Sequence, residues 1–272
     1  MALREDIRQA NIEVHRKEAP IYDLIHPEIF NASEQARIDR DLDLIKDCLP
    51  EGHFRTALDI GCGTGNLTLK FAALGYTVKA VDISTAMIEV LQAKLRQSAV
   101  KNVECIVGDG EEFLLNENTY NGWDIISFSS VLHHLPDYES TLMAAIKKLR
   151  PGGILYVCHE PLVSAERKAN GALARLINAI DYFYIYLVKC CAYLRVSLRD
   201  KTFPTRIDYS VADYHVDVGI DIARPVEYFN SIGAKIILYE SYPSRFWEAL
   251  SYLDRLCRVS YHSSFRLIVR SP

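Results

Sequence analysis

Asp59, Gly61, Gly63 and Gly65 stand at alternate positions in the run Ala57-Leu58-Asp59-Ile60-Gly61-Cys62-Gly63-Thr64-Gly65-Asn66. Glycines in such a turn adopt positive φ and let a ligand approach the main chain with no Cβ in the way. A nucleotide-type cofactor is the natural guest. The dinucleotide fingerprint G-x-G-x-x-G needs its last glycine three residues after the second, but here the two possible frames end on Asn66 and Thr68. Asp59 discriminates further, because a carboxylate there repels a pyrophosphate and attracts a cation. The residues therefore ask for a nucleoside-bearing ligand that is cationic and carries no phosphate. An ordinary glycine turn is the plainer reading of the same run.

Two further acids fall in register with the first. Asp82 lies 23 positions after Asp59. An acid at that interval, closing a second strand, is placed to accept hydrogen bonds from ribose hydroxyls, or else it caps a helix. Asp109 sits in Gly108-Asp109-Gly110, which taken alone is a common turn. Groups able to move a proton near neutral pH are His133, His134, His159, His215 and Glu160, histidine being the usual base there. Neighbouring residues cannot both face one site, so one of His133 and His134 is a packing or capping residue. Ser129 either contacts the ligand or finishes its strand.

The elements that must position these residues alternate strand and helix, which argues a parallel sheet covered on both faces. Strands are expected at Thr56–Ile60, Thr77–Val81, Val103–Val107, Trp123–Phe128 and Ile154–Cys158. Ser84 and Asp137 read as caps of the helices that follow them. Arg150-Pro151-Gly152-Gly153 reads as a turn before the fifth strand. Upstream, residues 33–49 form an amphipathic helix capped by Ser33, with Ile38, Leu42, Ile45 and Leu49 on one face.

The glycine run resembles motif I, D-x-G-x-G-x-G, of the class I S-adenosylmethionine-dependent methyltransferases. Trp123 to Asp137, with its Leu132-His133-His134-Leu135-Pro136-Asp137, resembles the motif IV stretch of the type 11 and ubiquinone/menaquinone-type members. Arg150 to Gly153 resembles the turn those members carry before strand five. The resemblance covers about residues 55–160 in order and spacing. It implies an α/β, Rossmann-like, seven-stranded and mostly parallel sheet with an antiparallel last strand at the sheet edge. It implies S-adenosylmethionine as cofactor, with contacts from Tyr22, Asp59, Gly61, Cys62, Gly63, Asp82, Ile83, Asp109, Gly110 and Ser129. In this family the acid after strand three reads the adenine amino group. Tyr22-Asp23 resembles a Tyr-Asp segment whose tyrosine folds over the cofactor, although a surface turn with one packed tyrosine is equally compatible. Catalytic candidates are His133, His134 and Glu160.

Four regions follow: an N-terminal helical lid over 1–50, a cofactor-binding core over 51–160, a helical insertion over 161–220 after strand five, and completion of the sheet over 221–272. In the last, strands are expected at Lys235–Tyr239 and Phe265–Val269, with helices starting near Arg224 and over Arg245–Arg258. Within the insertion, Tyr182-Phe183-Tyr184-Ile185-Tyr186-Leu187-Val188 is apolar or aromatic all round, so something must cover it. Asp181 and Lys189 interrupt the run, which leaves no transmembrane span. A pocket for a greasy acceptor, with Tyr184 and Tyr186 lining it and Tyr214 and His215 adding polar groups, is one expectation. Cover by a partner subunit, through a homodimer contact over 172–195, or by the protein's own lid is another, and interfacial membrane contact ranks third because a basic polar face is lacking.

The chain has 272 residues, 49% hydrophobic and 24% charged, with net charge -4. That balance gives no electrostatic footprint for nucleic acid. Seven cysteines form no C-x-x-C pair, so no metal site is expected. The first eighteen residues are too charged for a secretory signal, and a cytoplasmic location is expected. The function expected is methyl transfer to a small, lipophilic or aromatic metabolite. A non-catalytic S-adenosylmethionine-binding scaffold and a nicotinamide-dependent oxidoreductase are the alternatives. Calorimetry separates the last: S-adenosylhomocysteine should bind and NAD should not, and the reverse pattern would remove the assignment.

Overall fold

The computed structural model describes residues 2–50, 55–116, 122–163, 171–200, 211–257 and 262–272. Its centre is a seven-stranded sheet: β1 (Thr56–Ile60), β2 (Thr77–Asp82), β3 (Val103–Val107), β4 (Trp123–Ser129), β5 (Leu149–Pro161), β6 (Lys235–Tyr242) and β7 (Ser264–Arg270). The spatial order is β3-β2-β1-β4-β5-β7-β6. β1 to β5 pair in parallel, and β7 runs antiparallel to both β5 and β6. The last strand is therefore antiparallel, as the sequence suggests, but it lies one place inside the edge, which β6 occupies. The Arg150 to Gly153 segment also differs from expectation. Leu149 already pairs with Trp123, so this segment is an irregularity within β5 rather than a turn ahead of it.

The helices are α1 (Ala2–Glu18), α2 (Tyr22–Ile25), α3 (Pro27–Phe30), α4 (Ala32–Cys48), α5 (Asn66–Ala73), α6 (Thr85–Gln97), α7 (Gly110–Asn116), α8 (Tyr138–Lys147), α9 (Gly171–Asp200), α10 (Ala223–Ser231) and α11 (Glu248–Cys257). Alternation along the strands decides which helices cover which face. Leu58, Ile126, Phe128, Leu155 and Val157 pack with Leu142, Ile146 and Phe229 of α8 and α10. Their neighbours Ala57, Ile125, Ile154 and Tyr156 pack with Ile38, Leu42, Ile45 and Phe71 of α4 and α5. Each fully buried Leu, Ile or Phe contributes roughly 1.5–3 kcal/mol, so this two-sided core holds the sheet flat enough to present its strand ends.

Helix starts follow local chemistry. Ser84 accepts from the Met87 backbone N–H and Asp137 from that of Ser140, as their positions suggest. For α4 the cap is Asn31, whose side chain accepts from the Glu34 backbone N–H at 2.9 Å, and not Ser33. Asn31 also donates to the Arg245 carbonyl at 3.0 Å, a long-range bond that fixes the helix start two residues early. The helix expected over Arg245–Arg258 starts at Glu248, and Arg258 lies outside the described residues. Of the insertion expected over 161–220, residues 164–170 and 201–210 are likewise outside them.

Asp124, fully buried at the start of β4, ties the bottom of the sheet together. Its carboxylate accepts from the Thr56 backbone N–H at 2.7 Å, the Thr56 hydroxyl at 3.0 Å and the Arg150 guanidinium at 2.8 Å. Removing one partner of a buried charged network costs roughly 3–5 kcal/mol. Asp124→Ala should lower the free energy of urea unfolding by about that amount, and a loss below about 1 kcal/mol would show the network to be dispensable.

Candidate functional site

The strand order reverses between β1 and β4, and ligands of such sheets bind in the crevice outside the strand ends there. A cavity lies at that place. Its floor is the glycine turn between β1 and α5 together with the ends of β2, β3 and β4. Gly61, Gly63 and Gly65 all have positive φ. A Cβ on Gly61 would meet Val131 at 2.3 Å, and one on Gly110 would meet Ile60 at 2.5 Å. Around Gly63 nothing lies within 4 Å of a built Cβ, so the turn leaves open space at its crest.

All ten residues expected to contact the cofactor line this one cavity: Tyr22, Asp59, Gly61, Cys62, Gly63, Asp82, Ile83, Asp109, Gly110 and Ser129. Their hydrogen bonds are more specific than spacing reveals. Asp59, buried at the end of β1, accepts from the Thr68 hydroxyl at 2.6 Å and the Ser127 hydroxyl at 2.8 Å. Asp82 accepts from the Gly63 backbone N–H and the Ser84 backbone N–H, both at 2.8 Å. Asp82 thus braces the glycine turn and the start of α6 as well as facing the cavity. Asp109 accepts from the Glu111 and Glu112 backbone N–H groups at 2.9 and 3.1 Å.

Burial raises the Asp59 carboxyl to about 6; the Thr68 and Ser127 hydroxyls lower it, and Asp82 raises it further. Burial raises Asp82 too, against the pull of His15 and of its two backbone donors. Neither has a Lys or Arg ion-pair partner among the described residues. The site therefore holds two buried carboxylates with no ion-pair partner among the described residues: of the arginines in the cavity wall, Arg4 pairs with Glu111 and Arg8 forms no ion pair with either acid. A cationic guest fits that deficit, as S-adenosylmethionine does with its sulfonium and ammonium groups.

The three catalytic candidates separate. His134 lines the cavity; its Nδ1 donates to the Ala212 carbonyl at 2.9 Å, leaving Nε2 as the basic nitrogen. Burial, then the His133 and His15 rings, holds its pKa well below the usual histidine value, so the ring is neutral. His133 is buried behind it and does not line the cavity. Glu160 is also displaced from its expected role. It is fully buried, and its oxygens accept from the backbone N–H groups of Val131, Leu132 and His133 at 2.6, 2.8 and 3.4 Å and from His133 Nδ1 at 2.9 Å. A carboxylate so engaged positions the turn after β4 and is no base. His159, at φ +57, points to Glu34 and Ser244.

Other expectations are corrected. Tyr186 of α9 is 63% exposed, Tyr184 stacks on Trp247 with ring centroids 5.5 Å apart, and neither lines the cavity. Tyr214 and His215 do not line it either; their rings pack together, and His215 also meets Tyr138. Although no metal site is expected, ligating atoms of His133, His134 and Asp213 come within 4.8 Å of one another. The two Nδ1 atoms already have the protein partners given above.

Sequence reasoning missed one wall. Arg4, Ile7, Arg8, Asn11 and His15 of α1 line the cavity. Their spacing of three and four places them on one helical face, a signal present in the sequence. Arg4 pairs with Glu111, which also accepts from Thr141 at 2.7 Å. Asn11 donates to the Ala212 carbonyl at 3.4 Å, and the His15 ring meets His134 edge-on at 5.2 Å. Tyr22 packs between His26 and Phe30. Asp23 bridges to Thr64 at 2.6 Å and Lys94 at 2.5 Å.

Fold and site together define a class I S-adenosylmethionine-dependent methyltransferase. Residues 58–157 match the methyltransferase domain family Methyltransf_11, and this segment is a methyltransferase domain of that kind. It is 29% identical over 203 residues to the ubiquinone/menaquinone biosynthesis C-methyltransferase UbiE of Enterobacter sp. (strain 638), covering 72% of this chain and 77% of that one. To UbiE of Escherichia coli (strain K12 / DH10B) it is 34% identical over 132 residues, 46% of this chain and 51% of the relative, so the match spans about half that protein's length. Among solved structures it shares its fold with the cyclase SpnF, at TM-score 0.57 and 16% identity, covering 96% of both chains. It also resembles a sarcosine dimethylglycine methyltransferase described as putative, from Galdieria sulphuraria, at TM-score 0.53 and 12% identity, covering 88% and 85%.

The raised Asp59 pKa has a thermodynamic sign. The folded carboxyl titrates near 6 and the unfolded one near 3.8. Below the unfolded value both states are protonated and the site costs nothing. As pH rises through that window the unfolded chain releases its proton first, and by neutral pH the folded state is disfavoured by on the order of 3 kcal/mol. Asp59→Asn should therefore raise the Tm of the ligand-free protein at pH 7, with the gain vanishing toward about pH 4. An equal Tm for both proteins at pH 7 would contradict the burial cost.

Proposed function

We propose that the chain transfers the methyl group of S-adenosylmethionine to a small, lipophilic or aromatic acceptor, with the cofactor in the cavity at the β1–β4 switch point. The observation that carries this is the pair of buried carboxylates, Asp59 and Asp82, beside an open glycine turn and without a lysine or arginine ion-pair partner among the described residues. When bound, the cofactor supplies a methyl group already activated on a sulfonium. The chain's own residues bind, orient and keep the site dry, and orientation alone is worth roughly 7–11 kcal/mol in favourable cases. Asp82 would accept the ribose hydroxyls with the lone pairs left by Gly63 and Ser84, and Asp109 and Gly110 would flank the adenine. Asp59 would act on the cationic end through its charge, and Ser129 would contact the amino-acid portion.

The division into lid, core, insertion and sheet completion is proposed on the same basis. In it, α1 and α2 close the cavity by their Arg4–Glu111 and Asp23–Lys94 pairs. The acceptor side is mostly apolar, with Ile7, Ile29, Phe30, Val131, Leu135 and Pro136 in the wall. Small-molecule pockets have this make-up, with a few placed polar groups. The UbiE relatives are named for carbon methylation in ubiquinone and menaquinone biosynthesis, which agrees with a lipophilic acceptor. His134 is the base of this reading. It is neutral, its tautomer is fixed by the Ala212 carbonyl, and its free nitrogen can take a proton from an acidic acceptor.

With the acceptor found by screening metabolites against labelled S-adenosylmethionine, His134→Ala should lower kcat by roughly a hundredfold or more. Its affinity for S-adenosylhomocysteine should stay unchanged in calorimetry. Because the His134 pKa is already depressed, the wild-type rate should show no histidine limb between about pH 6 and 8. A full-rate His134→Ala enzyme would mean that no base is used.

A further inference from the structure

The apolar stretch of α9 turns away from the cavity and leaves a face that no described residue covers. The inner side of this helix is anchored: Ala174, Ile177, Asp181, Ile185 and Ala192 are buried. Asp181 accepts from the Phe246 and Trp247 backbone N–H groups at 3.2 and 2.8 Å, and Tyr193 donates to Glu18 at 3.1 Å. The outer side carries Leu173, Leu176, Ile180, Phe183, Leu187 and Leu194, between 38% and 62% exposed. Tyr182 and Tyr186, 61% and 63% exposed, extend one flank. At about 100° per residue the apolar and aromatic arc spans about 180° of the helix.

Charge on this face has one sign. Arg175 and Arg195 are exposed at its two ends. The one carboxylate among the described side chains of α9, Asp181, is buried on the inner side. Two occupants are conceivable, a second copy of the chain or a bilayer. A two-helix seam is narrow and is flanked by charges of both signs. Pairing this face with itself antiparallel would bring Arg175 of one copy near Arg195 of the other, with no carboxylate of α9 between them among its described side chains. The opposite side of α9 packs on the protein and supplies no basic polar face, so what suits this helix to a membrane interface is the width of the arc and the tyrosines and arginines at its rim. Among the described residues no helix is long and apolar enough to cross a membrane.

We propose that the outward face of α9 docks the enzyme onto an anionic lipid bilayer, the helix lying in the plane of the interface. The wide apolar arc enters the headgroup boundary, and Arg175 and Arg195 meet lipid phosphates at its rim. Near the C-terminal end of the face, a groove is lined by Ile21, Tyr22, Asp23 and Leu24 on one side and by Arg195 and Val196 on the other, the Asp23 carboxylate being paired with Lys94. Tyr22 lines the cavity as well. A lipophilic acceptor drawn from the bilayer would thus meet the cavity across one side chain. The docking itself does not depend on what the acceptor is.

The test is cosedimentation of the full chain with vesicles of phosphatidylcholine alone and of equimolar phosphatidylcholine and phosphatidylglycerol. Binding to the anionic vesicles should be stronger by about tenfold or more and should fall with added salt. Phe183→Glu with Leu187→Glu should abolish it while S-adenosylhomocysteine affinity, measured by calorimetry, stays unchanged. That second readout reports folding and the cofactor site separately from docking. Arg175→Glu, which leaves the apolar arc intact, should weaken binding to anionic vesicles specifically. Three results would overturn the proposal. One is a protein that stays in the supernatant with anionic vesicles. Another is charge-reversed or doubly substituted protein that binds like the wild type. The third is a dimer in sedimentation equilibrium that the double substitution dissociates and that ignores lipid.

Discussion

Two carboxylates buried at neighbouring strand ends, with no lysine or arginine paired to them among the described residues, are the constraint around which this protein is built. Four polar groups near the switch point make that arrangement tolerable. Ser127 on β4 and Thr68 on α5 each give a hydroxyl to Asp59. The glycine turn and the start of α6 each give a backbone N–H to Asp82. Four elements are thereby fixed relative to one another by the need to solvate two acids. Local stability is given up at this point, because burial holds Asp59 in a form that would rather keep its proton. A cationic guest returns what the empty site loses.

A third carboxylate plays a different part. Glu160 stands at the end of β5, and the backbone of Val131 to His133 folds around it. It also holds the His133 ring. That leaves His134 on the cavity side and His133 behind it. The orientation of a histidine pair is thus decided by an acid 26 residues beyond it in the chain, for which a linear motif has no symbol.

What was legible in the sequence is what short-range pattern controls. Strands β1 and β3 begin and end where alternation and flanking polar residues put them. The glycine run and the two acids that follow it bring their residues to one cavity. What escaped reading depends on partners distant in the chain. Asn31 outcompetes Ser33 as a cap because its amide also reaches Arg245. β7 slips inside β6 through pairings that local propensity does not encode. The aromatic run of α9 has the composition of a pocket wall, yet its burial was set by Asp181, Ala174 and Ile185 turning inward. The polar face of α1 was readable from its spacing, but its neighbours in the fold were not.

The cavity is made of two unlike materials. Its floor is main chain and carboxylate, shared with the sheet, where a change propagates into four elements. The opposite wall is a handful of side chains on α1, held down by Arg4 on Glu111 and Asn11 on the Ala212 carbonyl. Selection acting on such an object meets two very different mutational costs. The floor tolerates little, whereas on α1 the positions that anchor nothing, such as Arg8, can change the cavity wall while Arg4 and Asn11 keep the helix in place and the sheet is untouched.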